Sequence, residues 1–401
     1  MNPEHASLGS GPHRPPPSSS APPRAISALL ALAGVQIDGP NPWDIQVRDD
    51  RLYGRVLNQG TLGFGESYVD GDWDCAALDE LITRLLRVDV DTHVHGLARA
   101  KWVAEALRHR WLNLQSQARA FQVGEQHYDA GNDVFTSMLD SRMIYSCAYW
   151  EHAQDLEQAQ TDKLEMICRK LDLQRGQTLL DVGCGWGGLA RYAAEVHGVN
   201  VVGVTVSKEQ LALAQEHVRG WPVALKLQDW RDISGRFDRI VSVGMFEHVG
   251  PKNYAAFFAH MRELLAPEGL FLLHTIGSYA TVAATDPWID RYVFRNGKLP
   301  SARELAASIE GRFLIDDWHN FGGDYDRTLM AWWANFERAW PAIHARYDAR
   351  FYRMWKYYLQ SCAGFFRARQ GQLWQLVLTR RERASTYRSV RLGTGSQSSR
   401  N

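Results

Sequence analysis

The sequence predicts an α/β protein: a mostly parallel sheet with helices on both faces, preceded by a small N-terminal domain that is α/β or mostly helical. Three observations carry this expectation. From Thr178 onward, short apolar runs alternate with helical stretches, the pattern of strands buried on both faces and joined by crossover helices. The first run enters a glycine-rich turn, Asp181-Val-Gly183-Cys-Gly185-Trp-Gly187-Gly188, where bare backbone approaches a ligand at a helix N-terminus. Finally, 401 residues, 45% of them hydrophobic, suffice for two domains with a sizeable core.

Residues 1–24 hold seven of the 15 prolines and five serines. Such a leader buries little and is expected to be disordered, as is the Ser/Arg/Gly-rich end over 391–401. A unit over 25–115 follows, with an alternating segment from Asp44 to Val56 and a glycine-rich turn region from Gly60 to Trp73. Two helices close it: amphipathic Leu78–Leu86, and Leu97–Leu114 carrying Arg99, Lys101, Arg108 and Arg110 among apolar residues. A basic amphipathic helix suits an anionic membrane surface, and a solvated face packed on a neighbour fits the same pattern equally well.

The second unit, 120–390, contains the alternating block. Its strands are Thr178–Val182, Asn200–Thr205, Val223–Leu227, Arg239–Val243 and Leu270–Thr275; its helices are Leu189–His197, Lys208–Val218 and Asn253–Leu265. After Ile276 the regularity stops. The chain to Arg369 reads as mostly helical and aromatic-rich, and Gln372–Thr379 returns as a late strand.

Charge and cysteine usage exclude several classes. Lys+Arg and Asp+Glu both count 45, so no global electrostatic case for nucleic acid exists. The five cysteines are scattered with no CxxC pair, which argues against a disulfide framework or a metal site and fits a reducing compartment. Ala28–Val35 is too short to span a bilayer, and it follows a Pro-rich leader rather than a basic one. The chain therefore reads as cytoplasmic, with membrane contact that is peripheral.

The glycine turn decides the cofactor class. A dinucleotide site wants a carboxylate at the end of the second strand to hold ribose hydroxyls. Here that strand ends Gly203-Val-Thr205-Val-Ser207, without one. Asp181 ahead of the glycines points instead to S-adenosylmethionine. Glu247 and His274 fall at or just after the carboxyl ends of the fourth and fifth strands of the block. Neighbouring strands lie ~4.8 Å apart, so both side chains can face one pocket beside the loop.

Seven further strings run in order: Tyr145-Ser-Cys-Ala-Tyr-Trp150, Leu180-Asp-Val-Gly-Cys-Gly-Trp-Gly-Gly188, Gly203-Val-Thr-Val-Ser207, Ser242-Val-Gly-Met-Phe-Glu-His-Val-Gly250, Leu272-Leu-His-Thr-Ile-Gly277, Trp318-His-Asn-Phe-Gly322 and Ser361-Cys-Ala-Gly-Phe-Phe366. On these the chain resembles the cyclopropane-fatty-acyl-phospholipid synthases, the lipid branch of the S-adenosylmethionine-dependent methyltransferases. Leu62-Gly-Phe-Gly-Glu-Ser-Tyr68 and Asn113-Leu-Gln-Ser116 are similar to that family's N-terminal lipid-associated domain.

The resemblance implies a Rossmann-like methyltransferase sheet and a methylene transferred from S-adenosylmethionine across the cis double bond of an unsaturated phospholipid acyl chain. It implies bicarbonate as the base, contacted by Glu247, His274, Tyr325 and the backbone around Cys147 and Ile276. Cys362 matches a cysteine kept near the active site; the chemistry requires no thiolate, so it reads as a pocket-lining residue. Donor contacts carried over are Tyr145, Ser146, Gly183, Gly185, Gly187, Thr205, Gln210, Asp229 and Trp230. The small domain is implied to help capture membrane phospholipid or to support a homodimer.

An alkene is a weak nucleophile, so alkylation leaves a cationic carbon that must lose a proton to close a ring. The site needs a base, stabilisation of positive charge and exclusion of water. Of the aromatic residues that crowd the stretch from Trp318 to Phe366, most are expected in the helical core and a few as walls of an acyl tunnel that stabilise charge through their π faces. Two other outcomes remain open: a lipid methyltransferase that leaves a methyl or methylene branch, and a noncatalytic lipid binder. Retention of the glycines and Glu247 argues against the second.

Overall fold

The computed structural model describes residues 21–88, 131–282 and 284–391. The helix expected over Leu97–Leu114, the Asn113–Ser116 string, and most of the leader and tail lie outside the described residues.

The N-terminal segment contains α1 (Arg24–Leu32), β1 (Gln46–Val47), α2 (Arg51–Gln59), α3 (Thr61–Val69), β2 (Trp73–Asp74) and α4 (Leu78–Arg87). Where the sequence predicts an alternating segment over Asp44–Val56, only the two residues of β1 are extended, and α2 begins at Arg51. Where it predicts a glycine-rich turn over Gly60–Trp73, the chain forms a helix, α3. The glycines there serve close packing: a Cβ on Gly63 would lie 2.2 Å from the carbonyl oxygen of Arg55 in α2. Helix α4 forms as expected, with acidic residues in its first turn and Arg84 and Arg87 in its last.

The second part runs α5 (Asn132–Met138), α6 (Leu156–Lys170), β3 (Thr178–Val182), α7 (Gly188–His197), β4 (Asn200–Thr205), α8 (Lys208–His217), β5 (Val223–Leu227), β6 (Phe237–Val243), α9 (Tyr254–Leu264) and β7 (Leu265–Ser278). It continues with α10 (Pro287–Tyr292), α11 (Ala302–Ile309), β8 (Leu314–Asn320), α12 (Gly323–Ile343), α13 (Ala349–Arg367) and β9 (Gly371–Thr379). The seven-stranded sheet has the order β5-β4-β3-β6-β7-β9-β8. Strands β3 to β7 are mutually parallel, and β9 lies antiparallel between β7 and β8. Strand order reverses between β3 and β6, so a crevice opens beyond their carboxyl ends.

Strand β8 is not predicted by the sequence, which reads this region as mostly helical. Its Leu314 and Ile315 are exposed, while the buried position is a carboxylate, Asp317, held by Arg391 at 2.7 Å and by Lys170 at 3.4 Å. Apolar alternation is therefore missing from this edge strand.

Helix α6 starts at Asp155, whose side chain accepts from the Gln158 N–H, and α8 starts at Ser207, which accepts from Gln210 N–H. Two apolar clusters cover the two faces of the sheet. A third joins the N-terminal helices to α12 and α13 through Leu30, Tyr68, Trp73, Leu81, Trp332 and Tyr358. Helix α3 also meets α10: a Cβ on Gly65 would sit 2.4 Å from the ring of Trp288, itself 1% exposed. Gly65→Val should therefore destabilise the protein by roughly 1–3 kcal/mol through overpacking. Equilibrium unfolding in denaturant checks this; an unchanged midpoint would show that the helices have room to part.

Candidate functional site

A cavity of about 660 Å³ opens at the crevice beyond β3 and β6. Its floor is the turn between β3 and α7, where Gly183, Gly185 and Gly187 all take positive φ. Added Cβ atoms would meet different surroundings. On Gly183 one would press on Met245 at 2.7 Å, whereas on Gly185 it would point into open space within the cavity.

The predicted donor residues converge here with one exception. Tyr145, Ser146, Gly183, Gly185, Thr205, Gln210, Asp229 and Trp230 all line the cavity. Gly187 does not: it is the N-cap of α7, and its Cα faces Val218 and Ala214 of the neighbouring helical segment, so its glycine serves packing. Thr205, at the end of β4, donates to the amide oxygen of Gln210 at 3.1 Å and accepts from Ser207 N–H. Asp229 follows β5 and is 1% exposed; it accepts from the N–H and the guanidinium of Arg231, which also lies over the Trp230 ring at 4.5 Å. Tyr145 shares its hydroxyl with that of Tyr358 at 2.6 Å.

Glu247 sits on a short helical turn, Phe246–His248, directly after β6. His274 lies within β7, four residues before its end, because pairing with β9 carries β7 on to Ser278. It is nonetheless level with the end of β6, opposite Val243, so the predicted convergence holds. Both side chains are buried and line the cavity, and no hydrogen bond joins them. Oε1 of Glu247 accepts from the Ile276 N–H at 2.6 Å, while Oε2 has no hydrogen-bond partner among the described residues. Nδ1 of His274 accepts from the Gln375 amide at 3.2 Å, so in the neutral ring the proton sits on Nε2, which likewise has no partner among them.

Burial sets the charge states. It pushes the Glu247 carboxyl up to about 7, against the pull of the Ile276 N–H. Burial, reinforced by the Lys163 and Lys170 ammonium groups, holds the His274 imidazole well below its usual range, so the ring is neutral. The cavity thus presents a neutral N–H donor and a free carboxylate oxygen. Tyr325, on α12, adds a hydroxyl without a hydrogen-bonding partner among the described residues; its ring stacks on Phe366 at 4.5 Å.

Two expectations need correcting. The Ile276 N–H, expected to face the base, is engaged by Glu247 and fixes that carboxylate. Cys147 is fully buried with its thiol against the Ala148 carbonyl and Thr328, and does not line the cavity. Cys362 does line it, but burial pushes its thiol up to about 12, so it is neutral and serves as wall.

Four aromatic residues of the stretch from Trp318 to Phe366 line the cavity: Tyr325, Tyr357, Phe365 and Phe366. Phe64 of α3 and Ile82, Leu85 and Leu86 of α4 also line it, so the N-terminal helices give the cavity an apolar arm. Sequence reasoning misses Gln375, whose role depends on the antiparallel register of β9. It also misses Lys163, although a lysine among the buried positions Ala159, Leu164 and Ile167 of one helix is a readable signal.

The family model described as mycolic acid cyclopropane synthetase matches residues 115–376. The cyclopropane-fatty-acyl-phospholipid synthase of Escherichia coli (strain K12) is 54% identical over 358 residues, 89% of this chain and 93% of that protein. The solved structure of the cyclopropane synthase MmaA2 from Mycobacterium tuberculosis covers 67% of this chain and 99% of its own, at 32% identity and a TM-score of 0.61. Mycolic acid cyclopropane synthase CmaA1 complexed with SAH and CTAB superposes at a TM-score of 0.59, with 33% identity over 64% of this chain and 97% of its own. With the family model spanning well over half of the sequence, the chain belongs to the mycolic acid cyclopropane synthetase family.

Proposed function

We propose that this protein transfers a methylene from S-adenosylmethionine across the cis double bond of an unsaturated phospholipid acyl chain, forming a cyclopropane ring. The observation that carries the reading is that Glu247 and His274, whose buried Oε2 and Nε2 have no partner among the described residues, both line one cavity between the glycine loop and an apolar arm. The identity to the E. coli synthase supports the same substrate class.

The donor occupies the β3–α7 loop, with its adenosine end toward Thr205, Gln210, Asp229 and Trp230. The acyl chain lies along the apolar arm lined by Phe365, Phe366 and Cys362 of α13 and by Phe64, Ile82 and Leu85 of the N-terminal helices. Burial of the reaction centre keeps water from trapping positive charge on carbon, and the ring faces of Tyr325 and Phe366 stabilise it.

Bicarbonate, when bound, supplies the base for ring closure. Its needs match what the residues offer: His274 Nε2–H and the Tyr325 hydroxyl as donors to its oxygens, Glu247 Oε2 as acceptor of its O–H. Gln375 fixes the His274 tautomer from behind, and Ile276 N–H aims the Glu247 carboxylate.

We read the chain as two units, 25–115 and 120–390, the first serving lipid capture. Membrane contact is then peripheral, on the cytoplasmic side, and the resemblance extends to a homodimer. No helix among the described residues is long and apolar enough to cross a membrane.

The test is incubation of the purified protein with unsaturated phospholipid vesicles and isotope-labelled S-adenosylmethionine. Label should enter the acyl chains as one added CH2 with the alkene lost, and NMR should show ring protons. An exocyclic methylene or methyl branch would select the branching reading. Untouched lipid would end both.

A further inference from the structure

Lys170, the last residue of α6, is fully buried but does not line the cavity. Its Nζ lies 3.1 Å from Nδ1 of His319 on β8 and 3.4 Å from Asp317. Asp317 gives it only part of a counter-charge, because Arg391 holds both carboxylate oxygens at 2.7 Å. Burial lowers the ammonium to about 8, so it stays charged at neutral pH. An ammonium has protons to give and no lone pair, so it donates to His319 Nδ1. Burial keeps that imidazole neutral, and its own proton therefore sits on Nε2.

Strand register carries this contact inward. Gln375 of β9 stands opposite His319 on one side and opposite His274 of β7 on the other. Partners in a ladder point to the same face of a sheet. On β9 the neighbours of Gln375 on that face are Leu373 and Val377, both fully buried, as Gln375 is. A polar side chain thus interrupts an apolar stripe at a position flanked by two imidazoles.

The Gln375 amide donates to His274 Nδ1 at 3.2 Å, while its Oε1 has no hydrogen-bond partner among the described residues. A buried carbonyl oxygen without a donor is costly. An amide that gives its nitrogen to His274 leaves its oxygen for the other side of the row, toward His319 and the ammonium, where positive charge offsets that cost. Donors then all point one way: Lys170 to His319, Gln375 to His274, and His274 Nε2–H into the cavity. Dipoles aligned head to tail reinforce one another in a low dielectric. The same ammonium helps hold the His274 ring neutral.

We propose that Lys170, His319 and Gln375 form a one-way row across three strands that turns the charge of a buried ammonium toward the cavity and strengthens its hold on the anionic base. Lys170 is a positioning residue in this row: it meets no substrate and acts through His274. The inference rests on the reading of bicarbonate as the base, and it names what draws that anion to the His274 end of the cavity. Two strand spacings separate the ends of the row by about 10 Å. An anion just beyond His274 lies somewhat farther from the ammonium. At an effective dielectric of about 20, a unit charge at that range changes anion affinity roughly tenfold.

The experiment has two arms, both on the full chain without lipid. Nitrogen NMR of the protein labelled at histidine reads the tautomers, and His319 and His274 should each carry the ring proton on Nε2. Titration with 13C-labelled bicarbonate, followed by carbon NMR, reads anion affinity. Lys170→Met should weaken it roughly tenfold while S-adenosylmethionine affinity, measured by calorimetry, stays within about twofold. A Lys170→Met protein that binds bicarbonate as tightly as the unaltered one overturns the proposal and leaves the lysine a staple between α6 and β8. So does equal weakening of both ligands, which marks a disturbed fold. A His319 that carries its proton on Nδ1 in the unaltered protein overturns it as well, and that result needs no variant to fold. Failure of the unaltered protein to bind bicarbonate at all is a different result: it removes the base itself, and the purpose of the row with it.

Discussion

Glu247→Gln should lower turnover by roughly a hundredfold or more while leaving S-adenosylmethionine affinity within about twofold, because the Glu247 carboxyl is held by the Ile276 N–H and not by the donor loop. The amide keeps an oxygen for the Ile276 N–H but replaces the free acceptor Oε2 with a donor. The acid side of the pH profile should change with it. With the Glu247 carboxyl at about 7, kcat/KM of the unaltered enzyme should fall as pH drops below neutrality, and that limb should be missing from the residual activity of the variant.

The same substitution should stabilise the fold in alkaline solution. A carboxyl raised from 4.5 to about 7 holds its proton more tightly in the folded protein than in the unfolded chain. Stability from that group is complete below pH 4.5 and is lost as pH rises to about 7, a difference of roughly 3 kcal/mol. Glu247→Gln should therefore unfold at a higher temperature than the unaltered protein at pH 8, with the gap closing toward pH 5. Undiminished turnover would remove Glu247 from the chemistry. A lower unfolding temperature at pH 8 would mean that the carboxylate is better solvated than its burial implies.

How much of this was legible beforehand depends on where each element keeps its apolar residues. Strands β3, β4 and β6 are buried on both faces, so their Val and Leu runs read directly as a parallel sheet. Strand β8 does not read so, since it is an edge strand whose inward residue, Asp317, is an ion-pair partner. Helix α3 is hidden for the opposite reason: Gly63 and Gly65 look like turn residues but mark where Arg55 and Trp288 come close. At the site, motif order is enough to bring Glu247, His274 and Tyr325 to one cavity. It says nothing of the Gln375 contact, which requires β9 to run antiparallel beside β7. Proximity in sequence misleads for Cys147 and Gly187: each neighbours a cavity residue, yet Cys147 packs in the core against Thr328, and the helix start turns Gly187 toward α8.

Gly185→Leu should abolish measurable donor binding, a loss of more than about a hundredfold, while the protein remains folded. The reasoning separates two effects that a glycine substitution usually mixes. Gly185 has φ +53°, a conformation that costs a side-chain-bearing residue ~1–2 kcal/mol. Nothing lies within 4 Å of the position its Cβ would take, so the new side chain meets no protein atom there and extends into the cavity the donor must enter. Gly176, in the turn before β3, supplies the control: it has φ +86° and equally empty surroundings, but it does not line the cavity. Gly176→Leu should show comparable destabilisation and bind S-adenosylmethionine as the unaltered protein does. Titration calorimetry on the three proteins, beside their thermal unfolding, decides the matter. If both variants lose the donor in proportion to their loss of stability, backbone strain accounts for the effect and the loop is not the donor's floor. If only Gly185→Leu loses it, the open space above that residue is where the donor lies, and the distance from there to Glu247 and His274 becomes the span that the reacting methyl and the alkene must share.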